Sequence, residues 1–158
     1  MSDIVNVRDR RAIDILNSLL NTNFIFIGDR NKEWDAEDHI LERRLEFKSH
    51  KRRDGCFRHW VMHEKDVKLD LGDRGFTAWD RLFPNSYDLS ERFVSMFYVP
   101  KEYSFNLVTY LNERMEEHLA KNPKNKGINL SRNQLLGTLK KGEYLYIYKE
   151  NGDLKIDY

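Results

Sequence analysis

Between Glu33 and Arg53 an acidic cluster runs directly into a basic one. Glu33, Asp35, Glu37, Asp38 and Glu42 place five carboxylates within ten residues. Arg43, Arg44, Lys48, Lys51, Arg52 and Arg53 place six cations in the next eleven, with Glu46 the one acid among them. Carboxylates collect hard divalent ions such as Mg2+ or Mn2+ through oxygen, and cations hold a phosphate backbone. Side by side, the two suit metal-dependent phosphodiester chemistry. The same composition also suits a solvated hairpin with compensating charges.

Glu46-Phe47-Lys48 separates the two readings. Leu45 and Phe47 alternate with Glu46 and Lys48, a period of two that predicts a strand. Leu45 and Phe47 are then the core face. Glu46 and Lys48 share the other, about 7 Å apart along the strand. A carboxylate there can take one side of a metal while the ammonium reaches a water or a phosphate oxygen. Asp35 lies eleven residues upstream of Glu46, between apolar Trp34 and Ala36, whereas Asp38 is only eight residues upstream. Asp35 is therefore the preferred partner of Glu46, with Asp38 as the competing acid.

This arrangement resembles the PD-(D/E)XK nuclease superfamily: a helix, a buried strand, an Asp opening the next strand, then Glu-x-Lys on the strand after it. The matching stretches are WDAEDHILERRLEFKSH and, more loosely, AIDILNSLLNTNFIFIG. The resemblance covers 7–50, with 92–121 as the later strand and helix. Trp34, not proline, precedes the candidate Asp. The resemblance implies an α/β fold with a mixed central sheet flanked by helices, a restriction-endonuclease-like core. It implies Mg2+- or Mn2+-dependent cleavage of DNA, with Asp35, Glu46 and Lys48 as catalytic residues and Asp35, Asp38 and Glu46 as metal ligands. Lys51, Arg52 and Arg53 would grip the backbone. Asp14, on the first helix, would be an additional acid or an ordinary surface residue. A homodimer is the expected assembly for cutting both strands. The alternative is a non-catalytic nucleic-acid- or protein-binding domain using the basic segment 43–53.

Other constellations are weaker. Cys56, His59 and His63, with His50 nearby, offer half of a zinc site but no second cysteine pair. There is no Gly-x-Ser-x-Gly elbow, no phosphate-binding Gly-rich loop and no dinucleotide fingerprint. Tyr144, Tyr146 and Tyr148 share one face of a hairpin, as core or as a stacking platform.

The elements that must position these residues follow from periodicity. Ile13, Leu16, Leu19 and Leu20 predict a helix over 7–20 with Arg8, Arg10 and Arg11 as solvated charge, ended by 21–23. Phe24 to Ile27 reads as a buried strand and 34–50 as strand, turn and strand. Cys56 to His63 is a strand or helix, and 66–87 mostly loop, with Phe76, Trp79, Leu82 and Phe83 packing back. Arg92 to Val99 is a buried strand stopped by Pro100. Ser104 to Lys121 is an amphipathic helix with Ser104 as cap, and 122–127 a polar loop. Ser131 to Leu139 is a short helix, and Glu143 to Tyr158 a hairpin around Asn151-Gly152.

The 158 residues form the expected single nuclease-like domain, 40% apolar and 13% aromatic. With 27 basic and 26 acidic residues the formal net charge is +1, so any basic binding surface must be local. No apolar run approaches the roughly 18 residues of a membrane span. The charged start, MSDIVNVRDRR, is unlike a signal peptide. A lone cysteine fits a reducing interior, so a cytoplasmic protein, of cellular or of virus or phage origin, without membrane contact is expected.

Overall fold

Helix α1 (Ser2–Leu20) forms because Ala12, Ile13, Ile15 and Leu16 recur on one face, and all four are buried. It stops at Asn21, which takes the left-handed conformation (φ 59°) that asparagine tolerates beyond a helix end. The arginines of α1 are not uniformly solvated. Arg8 and Arg11 are half-buried, and Arg10 lies 4.5 Å over the Phe26 ring. The computed structural model describes residues 2–27, 34–51, 56–60, 72–80, 92–124 and 127–157.

Nine strands follow among the described residues: β1 (Ile25–Phe26), β2 (Ala36–Asp38), β3 (Arg43–Lys51), β4 (Cys56–Trp60), β5 (Asp73–Trp79), β6 (Phe93–Val99), β7 (Gly127–Ser131), β8 (Leu145–Glu150) and β9 (Asp153–Asp157). A 3-10 turn (Lys101–Tyr103) leads into α2 (Phe105–Lys121), and α3 (Arg132–Gly137) follows β7. The main sheet has seven strands in the order β1-β2-β3-β5-β6-β8-β9. Only β3 and β5 pair in parallel; the other neighbours are antiparallel. β4 and β7 form a separate antiparallel pair. This is the expected α/β architecture, a mixed sheet flanked by helices.

The sheet buries both faces. On one, α1 packs with Leu45, Phe47, Trp79, Met96, Tyr98 and Ile147. On the other, α2 brings Leu107, Leu111 and Met115 against Phe76, Phe97 and Val99, joined by Leu130, Leu135 and Leu139. Burial on this scale, at about 25 cal/mol per Å² of apolar surface, dominates the stability of the fold.

Three expectations change. The stretch 66–87, expected to be mostly loop, contains β5, the buried centre of the sheet, while 66–71 and 81–87 lie outside the described residues. Phe76 and Trp79 do pack back, while Leu82 and Phe83 lie outside the described residues. Phe24 to Ile27 is not a buried strand but a two-residue edge with Ile25 58% exposed. Ser104 does not cap α2 through its side chain; its Oγ donates to the Lys101 carbonyl at the 3-10 junction. The working cap is at α3, where Ser131 and Gln134 form a reciprocal capping box. The C-terminal hairpin turns at Asn151 and Gly152, both at positive φ (52° and 84°), as a tight two-residue connection requires.

Candidate active site

The β2–β3 hairpin builds the site. Its turn is organised by Asp38, whose Oδ1 accepts from the backbone N–H groups of Ile40 and Leu41 at 2.9 and 3.0 Å. Ala36 pairs with Leu45, and both lie in the core under α1. Alternation from Ala36 puts Asp35 on the opposite face, the face of Glu46 and Lys48. Asp35 is fastened to both neighbours of Glu46. Its backbone N–H donates to the Leu45 carbonyl at 2.9 Å, and its Oδ2 accepts from the Phe47 N–H at 2.7 Å. The Lys48 Nζ stands 3.5 Å from Glu46 Oε1, with the two side chains only 10% and 6% exposed. The hairpin thus puts Asp35 on the same face as the Glu46–Lys48 pair, a face more enclosed than an outward strand face would be.

A fourth residue joins them that sequence reasoning missed. Arg74 on β5 pairs in register with Glu46 and is 2% exposed. Parallel partners project to the same face, so a guanidinium flanks the carboxylate from the neighbouring strand. No local pattern pointed to it, because the pairing joins residues 28 positions apart across a parallel crossover.

Asp38 goes elsewhere. It is buried on the α1 side, and its Oδ2 accepts from the Asn23 N–H at 2.9 Å, tying the end of α1 to β2. Burial alone would raise its carboxyl. The N–H groups of Leu41, Asn23 and Ile40, with the charge of Arg43, outweigh that and hold it below the usual range. Asp14 is exposed on α1, which covers the face away from Glu46. Lys51 ends β3 opposite Trp79, and Arg52 and Arg53 lie outside the described residues. Cys56 and His59 fall on β4, and His63 lies outside the described residues.

Arg43 is committed to structure. Its guanidinium bonds Asp73 Oδ1 at 2.9 Å and both oxygens of Glu102. Asp73, fully buried, also accepts from the Tyr98 hydroxyl and from the Lys101 N–H at 2.7 Å. Burial pushes the Asp73 carboxyl up, against the pull of these donors; the hydrogen bond from Arg43 draws the Glu102 carboxyl down. This network clamps the start of β3 and β5 to the end of β6. Arg44 is exposed and pairs in register with Glu37, on the Glu46 side by strand alternation.

The chain matches no known protein-family model and no curated protein. Its site is therefore read from its own atoms. Among the described residues no three His, Cys, Asp or Glu side chains gather as a metal cage. Two carboxylates on one face would nevertheless suit Mg2+, which keeps several waters and takes one or two carboxylates in place of an all-protein cage. Asp35 and Glu46 supply that donor set. Among the described residues no helix is long and apolar enough to cross a membrane.

Proposed function

We propose that the chain is a divalent-metal-dependent endonuclease that hydrolyses phosphodiester bonds in DNA. The observation that carries this reading is the pinning of Asp35 to both neighbours of Glu46, with the Lys48 ammonium 3.5 Å from the Glu46 carboxylate. Asp35 and Glu46 would hold Mg2+ or Mn2+, which when bound lowers the pKa of a water and offsets phosphate charge. Lys48 orients the attacking water and stabilises the charge that grows on the phosphate oxygens. Glu46 holds Lys48 in place through their ion pair, and the Phe47 N–H fixes the rotamer of Asp35. Lys51, Arg52 and Arg53 contact the backbone without reading sequence. Double-strand cleavage calls for two such sites, hence a homodimer.

A second reading has an observation of its own. A Glu-Lys pair this enclosed also serves as a purely structural ion pair in a domain that binds without cutting. Thermal melting in a Ca2+ titration tests the first against the second. An ion bound only by the folded state raises the melting temperature along a saturable curve. The nuclease reading expects that rise in the wild type and its loss in Asp35→Asn. A wild type indifferent to Ca2+, Mg2+ and Mn2+ favours the structural pair.

A further inference from the structure

We propose that the cleft between α3 and the β8–β9 hairpin holds one unpaired nucleotide of the DNA strand, its base on Tyr144 and its phosphate on Arg132 and Lys141. This rests on the nuclease reading for its choice of DNA, and it names the form of DNA that the enzyme takes.

The aromatic side chains form a continuous stack. Phe97 and Tyr146 lie 4.8 Å apart at 25°, Tyr146 and Tyr148 lie 5.2 Å apart at 16°, and Tyr144 meets Phe97 edge-on at 5.7 Å. Phe97 is core, at 4% exposure, but the three tyrosines are only half-buried. Arg132 lies 5.0 Å over Phe97 and 5.5 Å over Tyr146, although it is itself exposed. A guanidinium held over the rings with its charge toward solvent is placed where a phosphate beside a stacked base can reach it. Lys141 and Asp157 complete the rim, so two cations and one carboxylate surround aromatic walls.

The cleft volume is about 150 Å³. A cavity of about that size accepts benzene, a single six-membered ring. The space matches one base. A base inside a duplex cannot enter without leaving its stack, so the cleft selects unpaired nucleotides.

The cleft also lies in line with the carboxylate-lysine site. Lys48 pairs in register with Phe76, Phe76 with Phe97, and Phe97 with Tyr146. These four share one face of the sheet, and three strand spacings put Tyr146 roughly 14 Å from Lys48. Phe76 and Phe97 between them are buried under α2, so a bound strand would reach both sites only by passing around the edge of that helix.

Fluorescence anisotropy of the full chain in EDTA tests this without requiring turnover, using labelled oligothymidylate and a duplex of equal length. The single strand should bind more tightly than the duplex. Tyr144→Leu and Arg132→Ala should each weaken it about tenfold or more at unchanged melting temperature. Arg132→Ala should also flatten the salt slope by about 0.7. Lys141→Ala, on an exposed turn, should weaken binding in the same sense and keeps the test independent of strand packing. Wild-type affinity in these variants overturns the pocket. So does equal weakening on the duplex, which indicates backbone contact alone, or competition by thymidine monophosphate as effective as that of the strand, which assigns the cleft to a free nucleotide. Mg2+-dependent cleavage with unchanged variant affinities sinks the pocket and leaves the nuclease reading standing. The expected binding losses without any cleavage do the reverse.

Discussion

Asp35 reaches across to the strand that carries Glu46 and takes the Phe47 N–H at 2.7 Å, so the acid is locked beside the Glu-x-Lys unit by the peptide between its two functional residues. That bond needs only an acceptor oxygen, which asparagine also has. Asp35→Asn should therefore keep the unfolding free energy within about 1 kcal/mol of wild type while removing cleavage and the stabilisation by Ca2+. Activity and calorimetry on one preparation check this. Wild-type cleavage by a folded Asp35→Asn protein would move the metal site elsewhere.

Asp38 should behave in the opposite way. Its carboxylate satisfies the N–H groups of Asn23, Ile40 and Leu41, and its substitution by alanine removes these bonds, at about 0.5–1.5 kcal/mol each because water can reach donors on these exposed residues. Its folded pKa lies below the unfolded value, so its contribution is present above about pH 4 and is lost as pH falls through the folded pKa. Urea unfolding from pH 6 to pH 2 should show a shallower acid loss of stability in Asp38→Asn than in the wild type. Parallel curves would mean that another group carries the acid arm.

Much of this was legible because it is periodic. The 3.6-residue pattern of α1 and α2, the alternation of β3 and the Asn-Gly turn of the last hairpin all stand in the sequence, and so does Glu46-x-Lys48. β5 was not legible, since every residue from Asp73 to Trp79 is buried and no alternation remains. Its Asp73, Arg74 and Thr77 are buried polar groups, which sequence reasoning assigns to loops. Arg74 was missed with its strand. Spacing to Glu46 and apolar neighbours favoured Asp35 over Asp38 in the sequence, but that Asp38 organises the turn and ties to Asn23 was not legible there. Phe24 to Ile27 misled in the other direction, because an apolar run says nothing about whether a strand is central or at an edge.

Lys48 is enclosed, so removing it should cost more than the loss of a surface lysine. Lys48→Ala leaves the Glu46 carboxylate without its ammonium, and breaking a buried pair costs about 3–5 kcal/mol. The double change Glu46→Gln with Lys48→Met should recover most of that stability and still be inactive. Denaturant midpoints of the single and double variants check the coupling. Additive losses would show that the two side chains do not act as a pair.

Gly75 is a packing requirement of the same site. A Cβ there would lie 2.8 Å from the Phe47 ring, so Gly75→Ala should overpack the strand pair and cost about 1–3 kcal/mol. Adding Phe47→Leu should relieve part of this strain relative to the sum of the two single changes. A double-mutant cycle by thermal melting reads the coupling directly.

The central claim is that Asp35, Glu46 and Lys48 form one hydrolytic centre, and the most direct measurement is cleavage of linear, branched and single-stranded DNA in Mg2+, Mn2+ or EDTA by the wild type and by Glu46→Gln. The account predicts products in Mg2+ or Mn2+ from the wild type, none in EDTA, and a loss of at least about 10²-fold in a folded Glu46→Gln protein. Undiminished cleavage by Glu46→Gln, or a folded wild type that cuts none of these substrates with either metal, would contradict it.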